Sequence, residues 1–286
     1  MPDPALPPGF RPLRLDAGGA IVTGAEAGSG PPLVLVHGLG GTWEYWAPAM
    51  ALLARAARCI ALDLPGFGHS DDLPGEFTLD KAVARLAAAL AALGIPAAPV
   101  CGHSLGGPLA VRLARNHPET TSHVVLVGPS GLVEAPVWQR RALRLVPVYQ
   151  LLRRAPVPWE HWLLRVGPLR RGALRALVHD PATVSDAMAR TLVDGGREAR
   201  ELKGAIDASF ATGLDAEARA LTVPVDAIWG ERDRMVPAKD ARLLLRAVPG
   251  ATLHVMPGCG HLPMVEDPET FAALLARLTG VAGAAG

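Results

Sequence analysis

Six short apolar runs closed by turn residues alternate with stretches of helical spacing, and that alternation admits little besides a mostly parallel sheet covered by helices. The runs are 33–36, 59–62, 100–101, 124–127, 225–229 and 252–255. They are nearly continuous in Val, Ile and Leu rather than alternating, as expected of strands buried on both faces. Segments 13–15 and 20–23, separated by Ala17-Gly18-Gly19, read as an antiparallel hairpin ahead of them. Val83, Leu86, Leu90 and Leu93 recur at helical spacing, with Thr78 placed to cap and Gly94 to stop. Asp267-Pro268 opens a second such pattern through Phe271, Leu274, Leu275 and Leu278, ended by Gly280. From 134 to 215 the alternation breaks: helical patterns remain, no convincing strand does, and prolines at 136, 147, 156, 158, 168 and 181 divide the segment. This predicts a core domain of residues 1–133 and 216–286 with a helical lid, 134–215, inserted between two strands.

Charge narrows the partners. Lys and Arg total 28 against 27 Asp and Glu, a formal net charge of +1, so there is no basic excess to neutralise a run of phosphates and no nucleic acid is expected. Cys59, Cys101 and Cys259 are an odd, widely spaced set without a CxxC pair, which indicates neither a disulfide framework nor a zinc site. The beginning, MPDPALPPGFRPLRLD, lacks the basic start and apolar run of a secretory signal, and no other stretch is long and apolar enough for a membrane span. A cytoplasmic location, with no metal and no organic cofactor, is the expectation.

The chemistry concentrates where the run 100–101 ends. Gly102-His103-Ser104-Leu105-Gly106 places G-x-S-x-G between a buried strand and the helical pattern 109–115. A serine there sits on a tight, strained turn that exposes its hydroxyl, and the flanking glycines let strand and helix approach. Serine holds its proton too tightly to attack unaided, so a base must lie within hydrogen-bond reach. Of nine histidines, His261 stands just beyond the run 252–255, where parallel strands gather catalytic groups. His37 and His103 adjoin glycine turns and are read as bonding the local backbone, and His69 as fixing the loop after Pro65-Gly66-Phe67-Gly68. A carboxylate must hold the base in its tautomer. Asp233, beyond the run 225–229, is preferred to Glu231, and Asp226 lies too early in the strand. The order Ser104, Asp233, His261 is the one this architecture calls for. For a developing oxyanion the expected donors are the N–H groups of Leu105 and of Leu39, with Gly40 behind Leu39.

HGLGG at 37–41, DLPGFGHS at 63–70, GHSLGG at 102–107, GERDRMVP at 230–237 and GHLPMVEDP at 260–268 together resemble the α/β-hydrolase superfamily across nearly the whole chain outside the lid. The resemblance implies the α/β-hydrolase fold: an α/β, mostly parallel eight-stranded sheet flanked by helices, with a helical cap between the sixth and seventh strands and structural roles for Asp63 and Glu266. It implies a Ser-His-Asp carboxylic ester hydrolase working through an acyl-enzyme. Epoxide- and halide-processing relatives carry aspartate at the elbow, which Ser104 sets aside. Carbon–carbon bond hydrolases of ring-cleavage products use serine but show tryptophan after the catalytic histidine, where this chain has Leu262. Cofactor-free haloperoxidases, which act by perhydrolysis, and ligand receptors on the same fold are the remaining alternatives.

The lid suggests the substrate. From 136 to 176 it carries nine arginines, Arg140 to Arg175, against Glu160 alone, a patch that either draws an acidic partner or forms a solvated face. Trp138, Trp159 and Trp162 interleave with these charges and are placed on the lid underside, facing the pocket or packing on the core. With Gly38, Gly40, Val236 and Leu262 they are expected to line a site for a small-molecule ester with an apolar portion.

Overall fold

A computed structural model describes residues 6–133, 162, 164–209 and 213–281. Eight strands form its sheet: β1 (Phe10–Asp16), β2 (Ile21–Ala27), β3 (Pro32–Val36), β4 (Arg58–Leu62), β5 (Ala98–His103), β6 (Thr121–Val127), β7 (Val225–Gly230) and β8 (Thr252–Met256), in the spatial order β1-β2-β4-β3-β5-β6-β7-β8. The β1–β2 and β2–β4 pairs are antiparallel and all others parallel, so the predicted hairpin and the mostly parallel sheet are both present.

Successive side chains of a strand face opposite ways, and the continuous apolar runs therefore feed two cores. Val34, Val36, Val100, Val124 and Leu126 enter one core, while Leu33, Leu35, Cys101, Val125 and Val127 enter the other. The helices among the described residues are α1 (Ala47–Leu53), α2 (Leu79–Ala92), α3 (Gly106–Asn116), α4 (Gly167–Leu174), α5 (Asp186–Glu198), α6 (Leu202–Ser209), α7 (Leu214–Arg219), α8 (Ala241–Ala247), α9 (Pro263–Glu266) and α10 (Pro268–Thr279). Helices α2, α3 and α8 cover the first core and α1 and α10 the second, where Trp46 and Phe271, both fully buried, meet at 6.0 Å between ring centroids. The predicted caps hold: Thr78 Oγ1 accepts from the N–H of Lys81 at 3.3 Å and Asp267 Oδ1 from that of Thr270 at 3.1 Å.

Between β6 and β7 the described residues contain helices α4 to α7 and no strand. The expected boundary at 215 falls inside α7, whose Leu214 and Ala218 belong to the first core and whose Glu217 holds Arg112 of α3 at 2.7 Å. The chain leaves β3 toward β4 on one side and returns to β5 on the other, so the strand order reverses between β3 and β5. A crevice for a ligand opens at the carboxyl ends of strands flanking such a reversal.

Candidate active site

Ser104 follows β5 at that reversal. Its φ of 52° makes it the one non-glycine residue with positive φ among the described residues. A left-handed φ costs an L-residue roughly 1–2 kcal/mol, and the surroundings hold it in place. The Ser104 N–H donates to the Val127 carbonyl at 2.9 Å, while its carbonyl accepts from Gly107 at 2.9 Å and Ser130 at 3.2 Å. A methyl group on Gly102 would lie 2.2 Å from the Gly106 carbonyl oxygen, and one on Gly106 would lie 2.3 Å from that of Val36, so both positions need glycine. Ser104→Gly is expected to stabilise the fold by about 0.5–1 kcal/mol through release of this strain, net of the added freedom of the unfolded chain. Thermal unfolding reads it as a rise in Tm of about 1–3 °C.

Gly38, just past β3, sits so close that a methyl on it would approach Ser104 Cβ to 2.8 Å. Both sides of its backbone are committed. Its N–H donates to the Tyr45 hydroxyl at 2.5 Å, and its carbonyl accepts from the Gly41 N–H at 3.1 Å and from His37 Nδ1 at 2.8 Å. His37 Nε2 accepts from the Leu64 N–H at 2.9 Å, so the ring proton is on Nδ1. In a planar trans peptide the C=O and N–H point opposite ways. The buried His37 thus turns the N–H of Leu39 away from the anchored Gly38 carbonyl. Leu105 occupies the N-cap position of α3, where backbone N–H groups have no partner within the helix.

Burial lowers the His37 pKa from 6.5 to about 4, which keeps the ring neutral. The folded state then binds a proton less readily than the unfolded chain, so stability present above pH 6.5 drains away as pH falls toward 4. His37→Asn should flatten this dependence by up to about 1.4 kcal/mol per pH unit. Urea denaturation at about pH 6.5 and about pH 4.5, inside that window, measures the difference.

Asp233 and His261 are both buried and joined by a 2.7 Å contact from His261 Nδ1 to Asp233 Oδ2. Asp233 Oδ1 accepts from the N–H groups of Met235 and Val236 at 2.8 and 2.9 Å, which fixes the carboxylate plane. Gly128, at the end of β6 with φ 46°, makes room for the pair: a methyl there would lie 3.0 Å from Asp233 Oδ2 and 3.4 Å from His261 Nδ1. Sequence reasoning missed Gly128; its signal is a glycine directly after a buried strand. Glu231 is exposed, paired to Arg232 at 3.3 Å and bonded to the Gly258 N–H, whereas it is Asp233 that meets the histidine ring. Asp226 instead holds His123 at 2.8 Å across β6 and β7.

Other expectations need correction. His103 does not bond the local backbone: its ring contacts the Tyr45 hydroxyl and the His261 carbonyl, each at 2.9 Å, because topology places β3 and β8 loops beside it. The His69 ring is exposed, and only its backbone serves the loop, through Asp63. Asp63 takes the Thr23 hydroxyl at 2.7 Å and the Trp43 N–H at 2.9 Å, and burial raises its pKa to about 6. Trp162 is 60% exposed, so the core does not enclose it. Leu262 is enclosed in the second core, while Val236 and Leu39 are half-buried against the first. Trp138 and Trp159, and five of the nine arginines, lie outside the described residues. Arg170, in α4, pairs with Asp186 at 3.3 Å.

Segments between β6 and β7 touch both loops of the site. The His261 N–H donates to the Leu177 carbonyl at 2.9 Å, and Glu266 accepts from the N–H groups of Gly260 and His179, each at 2.6 Å. Gly195 of α5 packs so tightly on the Gly40 carbonyl that a methyl would come within 2.6 Å. No group of His, Cys, Asp and Glu among the described residues has metal-binding geometry. No helix among them is long and apolar enough to cross a membrane.

The chain is 32% identical over 279 residues to the dihydrolipoyllysine-residue acetyltransferase component of the acetoin cleaving system of Cupriavidus necator, covering 93% of this chain and 68% of that protein. It is 29% identical over 273 residues to the 2-hydroxy-6-oxo-6-(2'-aminophenyl)hexa-2,4-dienoic acid hydrolase of Metapseudomonas resinovorans, covering 90% and 87%. The structure of a thermophilic esterase from Thermogutta terrifontis superposes with a TM-score of 0.75 at 22% identity, over 95% of this chain and 99% of that one. The family described as alpha/beta hydrolase fold matches residues 31–268, and this chain belongs to it.

Proposed function

We propose that the protein hydrolyses carboxylic esters through a Ser104–His261–Asp233 triad. The observation that carries the reading is the strained Ser104 turn at the strand-order reversal, with a buried histidine–carboxylate pair supplied by the loops after β7 and β8. In the cycle, His261 Nε2 takes the Ser104 proton as Oγ attacks the ester carbonyl. The tetrahedral oxyanion is received by the N–H groups of Leu39 and Leu105. Collapse breaks the bond to the alcohol oxygen, which leaves with the proton from His261. Water, deprotonated by the same histidine, then attacks the acyl carbonyl; collapse breaks the bond to Ser104 Oγ, which takes the proton back from His261 as the acid leaves. Asp233 stabilises the imidazolium formed in each half. Residues 134–215 act as the lid over this site, and the apolar Leu39 and Val236 meet the substrate.

Cleavage of a carbon–carbon bond is the second reading, favoured by the likeness to a dienoic acid hydrolase. The two separate in one assay: kcat/KM on a p-nitrophenyl ester series from acetate to octanoate against kcat/KM on a ring-cleavage dienoate. Ester turnover exceeding dienoate turnover is expected. Efficient dienoate cleavage with no ester hydrolysis would replace the proposal.

A further inference from the structure

The hydroxyl of Tyr45 stands between the two halves of the site. Tyr45 is buried, and its oxygen accepts the Gly38 N–H at 2.5 Å while lying 2.9 Å from His103 Nδ1. At the other side of that ring, Nε2 lies 2.9 Å from the backbone carbonyl of His261. A carbonyl only accepts, so His103 Nε2 carries the ring proton, Nδ1 has a lone pair, and the Tyr45 hydroxyl donates to it. The bonds form one directional chain: Gly38 N–H to Tyr45 O–H to His103, and His103 N–H to the His261 carbonyl.

Ring packing reinforces the link. The His103 ring meets Tyr45 edge-on at 5.5 Å and lies 4.6 Å from the His261 ring. Burial, together with the neighbouring His261 and His37, keeps His103 well below its ordinary pKa and hence neutral. A neutral ring does not oppose the positive charge that the proposed cycle puts on His261.

We propose that Tyr45 and His103 are positioning residues that, by holding the Gly38 N–H, fix the peptide directly before the one carrying the Leu39 N–H relative to the His261 base, so that oxyanion donor and base are set by one buried relay. The Gly38 N–H is consumed by Tyr45 and is not an oxyanion donor; the Leu39 N–H, on the next peptide, takes that part. This rests on the Ser104 ester-hydrolase reading.

Tyr45→Phe removes the central hydroxyl, and His103→Gln keeps an N–H for the His261 carbonyl while moving the acceptor away from the ring Nδ1 position that takes the Tyr45 proton. Both break the same bond. On p-nitrophenyl butyrate each variant is expected to lose about 10-fold in kcat with KM within about twofold, since small misplacement acts on the transition state. The Ki for a trifluoromethyl ketone should rise by the factor by which kcat/KM falls. The double variant should lose no more than either single one. Unchanged kcat, a change confined to KM, or losses that multiply in the double variant would overturn the relay. If one variant does not fold, the kcat and Ki of the other decide between the same two outcomes. Labelling of Ser104 by a fluorophosphonate in the unaltered protein is run alongside. Without labelling it is the hydrolase reading that fails, and with labelling but unimpaired variants it is the relay.

Discussion

Ser104→Ala is expected to lower kcat for ester hydrolysis by on the order of 10⁵-fold, with the fold retained. Alanine accepts the φ of 52° with the same strain as serine, and the three backbone bonds that hold the turn use only main-chain atoms. What disappears is Oγ and with it the covalent step; the residual rate is whatever the oxyanion donors and substrate binding provide to direct attack by water. The variant should melt within about 2 °C of the parent, since no buried polar partner is orphaned. Steady-state kinetics beside thermal unfolding separates this from a folding defect, in which activity and Tm fall together.

Asp233→Asn should cost about 10⁴-fold in kcat, for a reason written in the hydrogen bonds. Oδ1 accepts two backbone N–H groups, from Met235 and Val236, and an asparagine must keep its carbonyl oxygen there. Its NH₂ then faces His261 Nδ1, which has to accept, forcing the ring proton onto Nε2. A histidine protonated at Nε2 cannot take the serine proton. Shape and burial barely change, so Tm should hold while kcat collapses. Glu231→Gln, on an exposed side chain paired to Arg232, should leave kcat within about twofold. A large loss at 231 and none at 233 would reassign the acid.

The fold was legible where the chemistry is local. Continuous apolar runs fill two cores at once, and Thr78 and Asp267 satisfy helix N–H groups within one turn of themselves. The turn at Ser104 was legible because flanking glycines after a buried apolar run point to a tight strand-to-helix connection. What was not legible depends on topology. The Tyr45–His103 contact spans 58 residues and exists because β3 lies beside β5, a neighbour relation no spacing in the chain records. His103 accordingly reads, from sequence, as a local-backbone residue. Gly128 shows its purpose only once β6 lies beside β7, which brings the residue after β6 against the Asp233–His261 pair. For Trp162 the limit is different: an aromatic among arginines at helical spacing implies an apolar face, but spacing does not say what covers it, and this ring is exposed. The helix that straddles position 215 was not legible either, because α7 is held to α3 by an ion pair between Arg112 and Glu217, far apart in sequence.

The most direct test is mass spectrometry of the protein quenched at low pH during turnover of p-nitrophenyl acetate, followed by peptide mapping. A Ser104 nucleophile predicts a single acetyl group per chain, carried on Ser104 and absent from Ser104→Ala. Turnover with no acyl adduct on any residue, or an adduct elsewhere that persists in Ser104→Ala, would contradict it.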